Sequence, residues 1–280
     1  MIPLLLTSFA RVPQANAQAY NVANWVVDTN LQVAPVSVAN AYPITTFING
    51  TNPTVRLYQF FANSTIGDTP TTLSLDNVGD RLTLSGTAVF TGGGAGASQD
   101  YGNVQWRIGL FYKGDRNPPP QTQGTNWLGY FIGAGSGTTT SPLYERADPN
   151  TGMYASGTGA SINWNGSGPG SGTNFSPGTY NFLLDIERSD ANQLTFNFSI
   201  TGTNALGQLY SVTGANLLDT SPSTMAFDRV GMLCGASLSA LEIRYENLQV
   251  LYAPIPEPSV LALTATGLAG LALWRRRRNG

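Results

Sequence analysis

The sequence has no histidine, one cysteine and one lysine among its 280 residues. Without histidine there can be no Ser-His-Asp or Cys-His catalytic site, no histidine-ligated metal and no histidine general base. Cys234 has no partner for an intrachain disulfide, so we expect it to be a small buried hydrophobic residue on a strand. These absences exclude several enzyme classes before any motif is considered.

Charged residues are also scarce, at 11% of the chain. Between residues 18 and 256, nine Lys and Arg stand against fifteen Asp and Glu, a net charge of −6. Such an acidic body lacks the basic surface that phosphate backbones require, so nucleic acid is not expected as a partner. The abundance of Gly, Thr, Ser and Asn favours many short strands joined by turns over surface helices.

The hydrophobic pattern alternates with the period of a half-buried strand. Residues 193–201, QLTFNFSIT, and residues 180–187, YNFLLDIE, each place apolar side chains on one face and mostly polar ones on the other. The turn residues between them predict that these two strands pair as a hairpin. Weaker patterns of the same kind predict about ten to thirteen strands in all, at residues 54–61, 81–90, 104–112, 127–132, 225–234 and 241–252 among others.

One segment near the end of this region carries a family resemblance. Residues 227–252, FDRVGMLCGASLSALEIRYENLQVLY, resemble the closing strands of concanavalin A-like jelly-roll domains, in which a Phe-Asp-x-x-Gly strand precedes a strand with a buried asparagine. The resemblance implies an all-β jelly-roll sandwich, which we place at residues 20–253. An immunoglobulin-like sandwich is the alternative, although such domains have only about 100 residues.

Two carboxylates form the best candidate for an active site. Asp185 and Glu187 lie two residues apart on a predicted strand, hence on one face, as paired carboxylates must to act on a glycosidic bond. Jelly-roll glycosidases resemble this pattern but carry a further glutamate where this chain has Leu183. We therefore expect a solvent-facing strand surface and no catalytic residue, with a secreted glycoside hydrolase or lyase as the alternative function.

Other side chains suggest binding rather than catalysis. Aromatic rings could stack on sugars, with Trp164 in a glycine-rich loop as the first candidate and core packing expected for most of the others, Trp25, Trp106, Trp127, Tyr101, Tyr130 and Tyr154. Glu242, Arg244 and Glu246 alternate on what we expect to be an outward strand face. The segment DPNTG at residues 148–152 has one acid, too few for calcium, so no metal or other cofactor is expected.

The amino end predicts export. Residues 1–19 contain a short apolar run followed by two small-x-small patterns, Ala15-Asn16-Ala17 and Ala17-Gln18-Ala19, of the kind found at signal peptide cleavage sites. No basic residue precedes the apolar run and Arg11 interrupts it. We therefore expect that the natural start lies further upstream and supplies the missing basic residue.

The carboxyl end, residues 254–280, has three parts in order. It begins with a stiff proline-bracketed acid, formed by Pro256, Glu257 and Pro258. Residues 259–274 carry no charge, and as a helix they would span about 24 Å of a hydrocarbon core about 30 Å thick. A basic tail at residues 275–278 then holds that end in the cytoplasm, through Arg275, Arg276, Arg277 and Arg278.

This tripartite tail resembles the PEP-CTERM sorting signal. The resemblance implies recognition and cleavage by an exosortase-type processing enzyme, with the membrane helix as a transient anchor. It implies export across the inner membrane of a bacterium and a final place at the cell surface or in an exopolysaccharide matrix, where the body would act as a structural or glycan-contacting module. A plain single-pass anchor is the alternative.

A stripe of small residues follows one side of the predicted helix, at Ala262, Thr266 and Gly270. Because residues four apart share a helix face, the stripe would let another helix approach closely. We expect it to be a docking face for the processing enzyme. The alternative is that these residues only fill a weak anchor.

The basic tail makes a prediction about topology. A reporter that is active only in the cytoplasm should be active when fused after Gly280, because the four arginines resist translocation. Activity of an export-dependent reporter at the same position would contradict this orientation.

Overall fold

The structure is a computed structural model that describes residues 17–22, 25–27, 37–41, 44–48, 55–60, 71–92, 106–114, 127–135, 142–146, 159–162, 166, 175–234 and 240–255. These residues form seventeen strands and no helix. Every pairing between the strands is antiparallel. The prediction of an all-β body is confirmed, although the strands outnumber the ten to thirteen expected.

Eight strands make the larger sheet, called sheet A. Its order is β14 (Leu209–Asp219), β13 (Gln193–Asn204), β12 (Gly178–Asp190), β7 (Arg81–Thr91), β17 (Glu242–Ala253), β4 (Ile44–Ile48) and β3 (Ser37–Ala41). The remaining strand, β1 (Gln18–Asn21), also pairs with β17. The long central strands β7, β12, β13 and β17 carry most of the pairing.

Seven strands make the second sheet, called sheet B. Its order is β11 (Gly159–Ser161), β10 (Leu143–Arg146), β9 (Leu128–Ala134), β8 (Trp106–Tyr112), β16 (Arg229–Cys234), β5 (Val55–Phe60) and β2 (Val26–Val27). Two short strands, β6 (Leu73–Ser74) and β15 (Ala226–Phe227), form a separate pair.

The chain passes repeatedly between the two sheets. Consecutive strands β7 and β8 lie in different sheets, as do β11 and β12, and β16 and β17. Strands from the end of the chain lie between strands from its first half. In sheet B, β16 lies between β8 and β5, and in sheet A, β17 lies between β7 and β4. Such crossed antiparallel connections are those of jelly-roll sandwiches. The predicted jelly-roll sandwich is therefore seen in the described part of the chain.

The predicted hairpin is present and tighter than expected. β12 and β13 pair in register, with Leu184 opposite Phe198 and Ile186 opposite Phe196, and only Ala191 and Asn192 separate the strands. Their apolar faces are buried as the alternation predicts, through Tyr180, Phe182, Leu184, Ile186, Leu194, Phe196, Phe198 and Ile200. The alternation predicted the buried residues correctly because each of these strands has one face toward the core and one toward solvent.

Two details differ from the sequence-based expectation. The predicted strand at residues 225–234 is divided between β15 and β16 at Asp228. The asparagine that the family resemblance places in the interior, Asn247, is exposed. It has a φ of 52° at a register shift between Glu246 and Gln249, which identifies a β-bulge. Asparagine tolerates this left-handed conformation better than most residues, so Asn247 serves to allow the backbone of the bulge.

The core lies between the sheets and is rich in aromatic rings. Trp106 on sheet B contacts Phe90 and Phe182 of sheet A edge to face, at ring-centroid distances of 5.6 and 5.5 Å. Its indole N–H donates to the Tyr245 hydroxyl at 2.6 Å. Cys234 is fully buried in the same core, as predicted, and burial raises the pKa of its thiol.

The alternation on β13 makes a prediction about stability. Phe196→Ala should lower the free energy of unfolding by about 3–5 kcal/mol, because it removes a fully buried ring 4.6 Å from the ring of Tyr130. The adjacent Thr195→Ala is the matched control on the opposite face and should cost less than about 1 kcal/mol. Denaturant unfolding of both variants measures the difference, and equal losses would contradict the assigned faces.

Candidate functional site

Asp185 lies on the outer face of sheet A, at the centre of a polar network. Arg81 donates to both of its carboxylate oxygens, from Nε and Nη2, each at 2.5 Å. Thr83 donates through its hydroxyl at 2.9 Å and Asn197 through its amide at 3.1 Å. The hydrogen bond to Asp185 raises the pKa of the Arg81 guanidinium. All four donors converge because Thr83 and Asn197 directly flank Asp185 in the strand register.

This environment corrects the interpretation of Asp185 as a solvent-facing residue. Its side chain is only 1% exposed, whereas that of Arg81 is 50% exposed. Glu187 is half-buried in the next row, opposite Arg81 and Thr195. Two of the four hydrogen bonds that Asp185 accepts form a bidentate ion pair with Arg81, so its oxygens have little capacity left to accept from a substrate. Asp185 and Glu187 therefore flank one arginine rather than line a cleft.

Most of the rest of this outer face is hydroxyl and amide groups, with Leu183 and Leu209 as apolar exceptions. We use the name polar face for a set of outward polar side chains on the adjacent strands β7, β12, β13 and β14. They are Thr83, Ser85, Thr87, Asn181, Asp185, Thr195, Asn197, Ser199, Thr201, Ser211 and Thr213. Apart from Asp185 all of them reach solvent at least in part. Asp185 is the one charged side chain in this set and is neutralised by Arg81, and Arg81 and Glu187 adjoin the set at one end. Four strands at about 4.8 Å spacing make a surface about 14 Å wide between the outer strand axes.

The neighbouring strand β17 extends this surface with charges. Glu242, Arg244 and Glu246 are half-buried on its outward side, as the sequence predicts. Arg244 and Glu246 form an ion pair at 2.8 Å. Pairs of this exposure contribute little to stability and keep a sheet surface soluble.

The described tryptophans are in the interior. Trp25, Trp106 and Trp127 are 6%, 0% and 1% exposed, and Tyr130 is fully buried. Core packing is thus confirmed for these four, and they cannot be open platforms for sugar stacking. The other ring candidates, Trp164, Tyr101 and Tyr154, lie outside the described residues.

A buried group of acids was not predicted from the sequence. The Tyr130 hydroxyl donates to Asp219 Oδ2 at 2.7 Å and lies 3.4 Å from Glu145 Oε1. Backbone N–H groups of Ser221 and Ser223 donate to the same two carboxylates at 2.9 and 2.7 Å. The three residues come from β9, β10 and β14, and their spacing in the chain carries no recognisable signal.

The chemistry of this group is structural. Burial, followed by the two carboxylates, raises the pKa of Tyr130 far above its ordinary value, so the phenol stays protonated and cannot act as a general base. Protonated, it links sheet B to the end of β14 in sheet A. The acids that the described structure brings together therefore join the sheets rather than surround a substrate.

The outer face of sheet B carries a second apolar layer. Phe111, Trp127, Phe131 and Leu233 form it, with Tyr144 packed against them. The Arg229 guanidinium lies 4.7 Å from the centre of the Trp127 ring and pairs with Asp228 at 2.6 Å. Apart from Tyr144 these side chains are buried. The first six residues of β8, WRIGLF, are all buried, which explains why alternation was weak in this strand.

The described residues show neither a metal-binding cluster nor a membrane-spanning helix. They contain no group of three or more Cys, Asp or Glu side chains that could hold a metal ion. Nor do they include a helix long and apolar enough to cross a bilayer. The predicted sorting motif, anchor, docking stripe and arginine tail fall at residues 256–280, outside the described part.

The Asp185 network makes a prediction about coupled substitutions. Arg81→Ala should lower the free energy of unfolding by about 2 kcal/mol, because it leaves a buried carboxylate without its cation. Asp185→Ala should cost less, since the half-exposed Arg81 can turn to water. The double variant should be no less stable than Arg81→Ala alone when all three are unfolded with denaturant. Strictly additive losses would show that the pair does not interact.

No protein-family model matches the chain, and a search of characterised proteins found no match. Solved structures of similar shape include the Lotus tetragonolobus seed lectin, at 11% identity and a TM-score of 0.44, covering 87% of this chain and 100% of the lectin. The Emp47p carbohydrate recognition domain has 12% identity and a TM-score of 0.44, covering 85% and 95% of the two chains. A legume lectin-like domain from Entamoeba histolytica has 10% identity and a TM-score of 0.36, covering 83% and 91%. These values are too low to assign a ligand to this chain.

Proposed function

We propose that the protein is an exported bacterial surface or matrix component whose body contacts polysaccharide without cleaving it. The observation that carries the proposal is the polar face of sheet A. Its hydroxyl and amide groups can each donate and accept hydrogen bonds, as sugar hydroxyls do. Its charged member Asp185 is neutralised by Arg81. A broad surface of this composition suits many weak contacts with a polymer better than one deep pocket for a small molecule.

The net charge of the sandwich domain favours some classes of polysaccharide as the ligand over others. With a net charge of −6 over residues 18–256, the body would repel a polyanion at low salt. A neutral polysaccharide meets no such penalty. We therefore propose neutral glycans as the ligand class, held by hydrogen bonds across the polar face.

The sorting part of the proposal rests on the tail. Pro256, Glu257 and Pro258 followed by an uncharged stretch and four arginines resemble a PEP-CTERM signal. On this proposal the tail anchors the precursor in the membrane, an exosortase-type enzyme cleaves near the motif, and the body remains at the cell surface or in the matrix. Because β17 ends at Ala253, shortly before Pro256, a following membrane helix would direct strand ends toward the lipid. The polar face would then stay accessible from the side.

The enzyme alternative receives no support from the described acids. Asp185 is saturated with donors, and the phenol between Glu145 and Asp219 has a raised pKa. A glycoside hydrolase needs one acid that can give a proton and another that can act as nucleophile or base. We therefore propose binding as the activity, with the concanavalin A-like family as the origin of the fold.

The test is a binding assay on a panel of neutral and anionic polysaccharides, with release of reducing sugar measured in parallel. The variants Asn181→Ala and Thr201→Ala, adjacent on β12 and β13, should each weaken binding about fivefold if each removes one hydrogen bond. Ser221→Ala, an exposed change off the face, is the matched control and should bind normally. Undiminished binding by both face variants would contradict the assigned surface, and sugar release would favour the enzyme alternative.

A further inference from the structure

The first described strand begins inside the predicted export signal. β1 comprises Gln18–Asn21 and pairs residue by residue with β17, from Gln18 opposite Tyr252 to Asn21 opposite Gln249. Ala17 is exposed and lies just outside the strand. The boundary at residue 19 suggested by the second small-x-small pattern would therefore cut through the middle of a paired strand.

The residues that follow are part of the core. Tyr20 is 7% exposed and Val22 is 3% exposed, and Trp25 is 6% exposed with its ring 6.1 Å from that of Tyr245. Cleavage after Ala19 would place a new ammonium group on Tyr20, a residue packed in the interior, where desolvating a charge is costly. Cleavage after Ala17 would place that group on Gln18, whose side chain is exposed.

The pairing of β1 also protects an edge. On the side of β17 away from β7, β4 covers residues 242–246 and β1 covers residues 249–252. Removing Gln18 and Ala19 would expose the β17 backbone at Leu251 and Tyr252. Unpaired backbone groups on a strand are a site for unwanted pairing with other chains.

We propose that the export signal is removed between Ala17 and Gln18, so that the mature chain begins with the first residue of β1. Water adds across the amide bond between these residues, which leaves a carboxylate on Ala17 and an amine on Gln18. The bond is preceded by Ala15-Asn16-Ala17, which supplies the required small residues at the first and third positions before the cut. This inference rests on the proposed export.

The two candidate cuts respond differently to single substitutions. Ala15 is the third residue before the first cut and has no place in the pattern of the second, whereas Ala19 immediately precedes the second cut alone. A leucine at either position removes one small-residue requirement. Ala15→Leu should therefore abolish the Gln18 terminus, and Ala19→Leu, the matched control, should leave it unchanged.

The experiment expresses the full chain in a bacterial host, with a lysine-containing lead before Met1 to supply the basic segment, and determines the first residue of the exported protein by mass spectrometry. The expected terminal peptide begins at Gln18, either with a free amine or cyclised to pyroglutamate with loss of one ammonia. A terminus at Tyr20 would overturn the proposed cut while leaving export intact. An uncut chain retained in the cytoplasm would overturn both.

Discussion

The sandwich depends on the contact of Trp106 with the inner face of sheet A. This one side chain of β8 reaches Phe90 on β7, Phe182 on β12 and Tyr245 on β17, which are the three central strands of the opposite sheet. Its N–H is satisfied by Tyr245, so the ring brings no unpaired donor into the core. Strands far apart in the sequence thus meet around a single indole, and their backbone pairing sets the register of both outer faces.

That register explains which features could be predicted from the sequence. The alternation of β12 and β13 is a local property, and it predicted their buried faces and their pairing. The burial of Asp185 is not local, because it depends on a hydrogen bond from Arg81, which lies 104 positions earlier in the chain. The buried group around Tyr130 and the burial of both faces of β8 could not be predicted from the sequence for the same reason. Each is created by strands that meet only in the folded sheet.

The outward surfaces of the two sheets have opposite character, and this contrast bears on the proposed function. Sheet A presents hydroxyl and amide groups to solvent, whereas sheet B carries a closed layer of aromatic rings and guanidinium groups. Asp185 is engaged by Arg81, and Glu145 and Asp219 are engaged by Tyr130. The proposed contact with polysaccharide therefore uses the polar face of sheet A.

The place of β17 in sheet A has a mechanical consequence. The strand is flanked by β7 on one side and by β4 and β1 on the other, and the chain leaves it at Ile255, whose N–H donates to buried Asp80 at 2.6 Å. A force applied at Ile255 along the strand direction acts at right angles to the ladder hydrogen bonds. Those bonds then share the load in shear instead of opening one after another. A body tethered at this end resists being pulled apart far better than one tethered at a strand that could be peeled from the edge.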